Sequence, residues 1–208
     1  MSSKSPLGST PKLIYFELGA KGRGENIRVL LQDAGIQYEE ERIPYDDQWP
    51  ALSKQLKATE KNPVGSLPIL ELNGENYFGT VPLLRYIAGK LGTHKGRTLE
   101  EDLFIDSVSD FVVDWRASWA AGLQSPKDRA QHVENELPGY LDIVEKLLGK
   151  HEGPFALNDN FTYADIMIYQ IVHDEEILGK LERYPHLKQL QEAVEARPRL
   201  VQYFAKRE

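Results

Sequence analysis

Three places in this chain combine residue types that can bind or activate a ligand. Tyr15 ends the apolar run Leu13 Ile14 Tyr15 Phe16, just before the glycine-rich turn Gly19 Ala20 Lys21 Gly22 Arg23 Gly24. A tyrosine at the C-terminal end of a first strand, followed by a turn and a helix, sits where α/β sheets place ligands, with its hydroxyl toward the cleft. In Asn62 Pro63 Val64 Gly65 Ser66 Leu67 Pro68 Ile69 Leu70 Glu71 Leu72, Pro68 heads a short apolar strand. It removes a ladder donor and restricts Leu67 to extended conformations, so the Leu67 backbone is expected to point outward, open to an extended peptide. If the Leu67 to Pro68 bond is cis, Leu67 offers both its N–H and its C=O. Gly79 Thr80 then opens a helix, with a hydroxyl N-cap and free amides suited to a carboxylate. Taken singly, each feature has a plainer reading: a core tyrosine, a loop-to-strand junction, a helix cap.

The elements that must position these residues follow from periodicity and punctuation. Met1 to Pro11, rich in Ser, Pro, Gly and Lys, reads as a disordered tail over residues 1–11. The order from Lys12 to residue 92 is strand, helix, strand, helix, strand, strand, helix, with Gly35 ending the first helix and Trp49 to Leu56 forming a short helical segment. From residue 98 to 208 the pattern is helical throughout. Leu103, Phe104, Ser107, Val108, Phe111, Val112, Trp115 and Trp119 have helical spacing up to Leu123, and further helices are expected over Ala130 to Leu148, Tyr163 to Leu178 and Leu187 to Phe204. The expected fold class is therefore α/β plus all-α. Asp106, Asp110 and Asp114 recur every fourth residue and share one helix face, a solvated stripe on the plainest reading. Thr162 with Asp165 three residues on has capping-box spacing, and Asn158 before it can adopt the left-handed conformation.

Composition narrows the chemistry. The 208 residues, 41 % hydrophobic, leave room for two compact domains. A net charge of −7 without a basic cluster argues against nucleic acid, and no apolar run is long enough for a membrane span or secretory signal, which points to the cytoplasm. The absence of cysteine excludes disulfides, cysteine-zinc sites and a thiol nucleophile on the protein. His94, His132, His151, His173 and His186 lack ligand spacing, so no metal is expected, and His173 Asp174 Glu175 Glu176 reads as a solvated helix end.

In order and spacing these motifs resemble the cytosolic glutathione transferases of the Tyr type, most closely the sigma-like class, over nearly the whole chain from Lys12. The Tyr-Phe, Arg-Gly, Glu-x-x-Arg pattern of that family is matched by Tyr15 Phe16, Lys21 Gly22, Glu25 and Arg28, with a turn two residues longer that leaves Lys21 or Arg23 in the arginine's place. Gly79 replaces the usual glutamine before Thr80. The resemblance implies a thioredoxin-like βαβ–ββα domain with a cis-proline, a helical second domain and a homodimer. It further implies glutathione as co-substrate, bound by Trp49, Lys54, Ser66, Leu67, Pro68, Gly79, Thr80 and Asp114 of the second subunit, with Asp110 as substitute. Tyr15 would hydrogen-bond the sulfur. A free thiol with pKa near ~8.5 is mostly protonated at neutral pH, and lowering that value by ~2 units takes ~2.7 kcal/mol, within reach of a phenol bond plus a helix N-terminus. An apolar electrophile would lie beside Tyr15 in a cleft between the domains, lined by Leu18, Phe111 and Trp115, while Thr162 and Asp165 serve folding. A glutathione-dependent isomerase similar to prostaglandin synthases and a non-catalytic binding relative share the same resemblance.

Overall fold

The computed structural model describes residues 6–59 and 62–207. Two compact units divide the chain, one comprising the residues up to Thr93 together with those from Pro198, the other His94–Arg197. The helical pattern predicts that all of 98–208 belongs to the second domain. The segment from Pro198 departs from this because Leu200 is fully buried and the Arg199 guanidinium donates to the carbonyl of Asp33 at 2.9 Å.

The first unit is built on a four-stranded sheet of order β2-β1-β3-β4, from β1 (Lys12–Phe16), β2 (Glu39–Ile43), β3 (Ile69–Leu72) and β4 (Glu75–Phe78). β1 runs parallel to β2, with Tyr15 opposite Arg42, and antiparallel to β3, with Ile14 opposite Ile69. The parallel pair needs a crossover, supplied by helix α1 (Arg23–Ala34), which Gly35 ends in the left-handed conformation at φ 70°. Helices α2 (Trp49–Ala58) and α3 (Thr80–Leu91) complete the unit in the expected thioredoxin-like order. Residues 6–11 correct the reading of a disordered tail, whose first five residues lie outside the described ones. Leu7 is buried, its carbonyl and the Ser9 hydroxyl accept from Asn73 in the β3–β4 turn, and the Pro11 carbonyl accepts from Glu39. An apolar anchor and shared hydrogen bonds offset the entropy that composition alone suggests would win.

The second unit is helical: α4 (Leu99–Gly122), α5 (Pro126–Gln131), α6 (Leu137–Leu148), α7 (Tyr163–Asp174) and α8 (Pro185–Glu195). α7 is buried along almost its whole length, polar residues Asp165, Gln170 and Asp174 included, and packs on α4 and α8. The single helix expected over 130–148 is interrupted by a π-helical turn, His132–Glu136, where the Leu137 N–H reaches the His132 carbonyl just before Pro138, which has no N–H to give. Proline also divides the last expected helix, since Pro198 starts a separate α9 (Pro198–Phe204).

Candidate functional site

Tyr15 is 5 % exposed, and its hydroxyl oxygen accepts the N–H of Arg23, the first residue of α1, at 2.8 Å. The phenol oxygen therefore lies at the positive end of a twelve-residue helix. The glycines around it leave no room for side chains. A Cβ at Gly24 would lie 2.4 Å from the tyrosine ring, and one at Gly22, where φ is 82°, would lie 2.6 Å from its oxygen. Of the two candidates for the family arginine, Arg23 makes the backbone contact to Tyr15, while the Lys21 N–H turns back to Leu18.

The Leu67 to Pro68 bond is cis. The Leu67 side chain packs with Tyr15 and Ile69, against Phe16, Ile43, Trp49 and Leu56. Its backbone precedes β3 and, among the described residues, neither its N–H nor its C=O has a partner. Asn62, fully buried, shapes this loop. Its amide donates to the Ser66 carbonyl and its side-chain oxygen accepts from Val64 and Gly65 at 3.1 and 3.2 Å. The Ser53 hydroxyl clamps the Gly65 carbonyl at 2.7 Å.

Trp49 opens α2 and packs its ring edge-on to Phe16, with centroids 4.6 Å apart. Lys54 is exposed, five residues along the helix and turned well away from the tryptophan's face. Ser53 and Lys57, four and eight residues on, share that face, and a Cβ at Gly65 would meet the Lys57 stem at 2.6 Å.

Gly79 is the N-cap of α3, with φ 89° and ψ 131°, and the Leu83 N–H already bonds its carbonyl at 3.1 Å. This corrects the expectation that Thr80 caps the helix: it is the first helical residue, and its buried hydroxyl oxygen has no hydrogen-bond partner among the described residues. The positive φ also accounts for glycine at position 79, since it strains any residue bearing a Cβ.

In the helical unit, Asp106 accepts the Tyr163 hydroxyl, whereas Asp110 and Asp114 are exposed further along α4. Phe111 is half-buried against Tyr140, and Leu18, in the first unit, is 37 % exposed. Trp115 is a correction: it is fully buried, stacked on Tyr140, and its indole N–H donates to Glu175 at 2.8 Å, so it is core and lines no open surface. The stretch at 173–176 is a second correction, because Asp174 and Glu175 are both buried. Glu175 also receives His132 and Arg129, each at 2.7 Å, while Asp174 pairs with Arg116. Burial pushes the Asp174 carboxyl up, but His173 and Arg116 outweigh it and hold the group below its usual value. Asp165 accepts from the N–H groups of Ala156 and Thr162 and from the Thr162 hydroxyl, all at 2.7 Å, and burial still pushes its carboxyl up to about 6. Among the described residues no group of His, Asp and Glu is arranged to hold a metal ion, and no helix is long and apolar enough to cross a membrane.

A family model described as the glutathione S-transferase C-terminal domain matches residues 110–207. Glutathione S-transferase 2 of Manduca sexta is 30 % identical over 204 residues, 93 % of this chain and 95 % of its own length. The Pi-class glutathione S-transferase of Onchocerca volvulus superposes with a TM-score of 0.82 at 27 % identity, covering 95 % of this chain and 93 % of its own. Prostaglandin synthase D of Nilaparvata lugens does so with a TM-score of 0.80 at 26 % identity, covering 96 % and 98 %. With the cis-proline loop, the tyrosine at the helix N-terminus and the thioredoxin-like order all in place, the chain belongs to the glutathione S-transferase family.

Proposed function

We propose that this chain transfers the glutathione thiolate to apolar electrophiles, with Tyr15 donating its hydroxyl proton as a hydrogen bond to the sulfur. The observation that carries this reading is the Tyr15 oxygen accepting the first N–H of α1 while its ring packs on Leu67. A hydroxyl that accepts an N–H is polarised into a better donor, and the helix N-terminus adds positive potential where the anion would lie. Leu67 would pair with the tripeptide backbone beside Ser66 and Pro68. The Thr80 hydroxyl, with the amide at Gly79, would take one carboxylate, which supplies the partner that hydroxyl lacks. Trp49 would serve the carboxylate at the glycine end with a lysine, Lys57 being better turned for it than Lys54. Asp114, with Asp110 as substitute, would reach the amino group of glutathione held by a second copy in a cytoplasmic homodimer. Leu18 and Phe111 are the candidates for apolar substrate contacts. No metal enters the reaction.

Turnover of Tyr15→Phe tests the reading: glutathione binding is expected to persist while conjugation at pH 7 falls ~25-fold, the change in thiolate fraction when the thiol pKa returns from ~6.5 to ~8.5. Equal rates in the two proteins would refute it. The likeness to prostaglandin synthase D of Nilaparvata lugens favours a second reading, a glutathione-dependent isomerase, recognisable by a product that carries no sulfur.

A further inference from the structure

Behind Tyr15 runs a chain of buried charges that starts on the C-terminal segment. The Arg28 guanidinium lies 5.8 Å from the centre of the Tyr15 ring and donates to the Gly19 carbonyl at 3.4 Å, in the turn that leads to Arg23. It is pinned by Glu25 at 2.9 Å and by Glu40, whose other oxygen holds Arg42 at 3.1 Å. Glu25, 1 % exposed, is held in turn by the Tyr203 hydroxyl at 2.8 Å and by Arg207 at 3.2 Å, both on the same carboxylate oxygen. Tyr38 flanks the group, and its phenol is pushed up by burial, as is that of Tyr203. A donor phenol thus meets a carboxylate that cannot reach water. The turn so restrained carries glycines at φ 59° (Gly19) and 82° (Gly22), the conformations least able to hold themselves.

We infer that Tyr203 and Arg207 are positioning residues for Tyr15: by fixing Glu25 they fix Arg28, and through it the Gly19 carbonyl and the tyrosine ring. α9 is docked for this role along its length, Arg199 on the last turn of α1, Leu200 buried, and Tyr203 on the first turn at Glu25. The inference rests on the reading of Tyr15 as donor to the sulfur. Its function is to keep the phenol oxygen and the Arg23 N–H in register, so its loss should appear as a less acidic bound thiol rather than as weaker glutathione binding.

The test is a double-mutant cycle. Tyr203→Phe and Arg207→Gln are made in the wild type and in Tyr15→Phe, and kcat, the KM for glutathione, the pH–rate profile and Tm are measured for each. In the wild-type background kcat at neutral pH should fall ~5-fold and the profile move to higher pH, with KM within ~2-fold, whereas in Tyr15→Phe the loss should shrink below ~1.5-fold. Equal losses in both backgrounds, or a lower Tm with an unmoved pH profile, overturn the inference. Lys206→Gln, next to Arg207 and outside the network, should behave as wild type, and a matching loss there also overturns it. If Arg207→Gln does not fold, Tyr203→Phe, which deletes one hydroxyl, carries the test alone. Undiminished turnover in Tyr15→Phe by itself sinks the reading of Tyr15 without reference to any network variant, so the two failures are distinguishable.

Discussion

Two threonines at the starts of two helices, one with its hydroxyl answered by the fold and one without, show how differently the same residue type can be placed. Thr162 stands in extended backbone before α7 and is fully buried in a capping box closed by Asp165. Thr80 stands one step inside α3, after a glycine cap, with Pro82 where a capped N–H would be and no carboxylate to answer its hydroxyl. A buried polar atom left without a partner is costly, and a fold retains one where a ligand will supply the partner. The completed box spends its polar groups on stability, while the incomplete start leaves a hydroxyl that the proposed glutathione carboxylate would answer.

The largest effect expected from this contrast is on stability. Asp165→Ala strips the acceptor from Ala156 N–H, Thr162 N–H and the Thr162 hydroxyl. At ~1–3 kcal/mol for each buried donor, a loss of about 4 kcal/mol is expected, which calorimetry should read as a Tm about 10 °C lower. The sharpest form of the contrast pairs Thr162→Val with Thr80→Val. The first should cost about 1 kcal/mol and leave the KM for glutathione unchanged, whereas the second should raise that KM ~10-fold and leave Tm within ~1 °C. A Tm loss at Thr80 as large as that at Thr162 would break the comparison.

The smallest effect is a pH dependence confined to the box. The Asp165 carboxyl is raised from 3.8 to about 6 in the folded protein, so the folded state holds this proton more tightly than the unfolded chain. Its contribution to stability is complete below the unfolded value and is lost as pH rises through the folded one. The Tm of the wild type relative to Asp165→Asn should therefore decline between pH 4 and 7. A flat difference would mean that folding leaves this carboxyl at its ordinary value.

The site was legible where local chemistry is decisive. Tyr15 before its glycines and Leu67 before its proline each declare their local element in two or three residues: Tyr15 lies in β1 ahead of α1, and the Leu67 to Pro68 bond is cis. The capping box was equally readable, because its hydrogen bonds are local. What escaped depends on contacts distant in the chain or on a backbone angle. Glu175 reads as solvated until Trp115, Arg129 and His132 converge on it from α4, α5 and the π-helical turn. Trp115 has the same helical spacing whether its face meets a ligand or the core. Thr80 reads as a cap until the dihedral angles of Gly79 move the helix start by one residue. Leu7 anchors a segment whose composition otherwise argues for disorder.

Ultraviolet titration of glutathione bound to the wild type and to Tyr15→Phe tests the central claim most directly, because it reads the sulfur itself. The bound thiol of the wild type is expected to titrate ~2 units below the free value of ~8.5, and that of Tyr15→Phe to return most of the way. Identical titrations in the two proteins would contradict it.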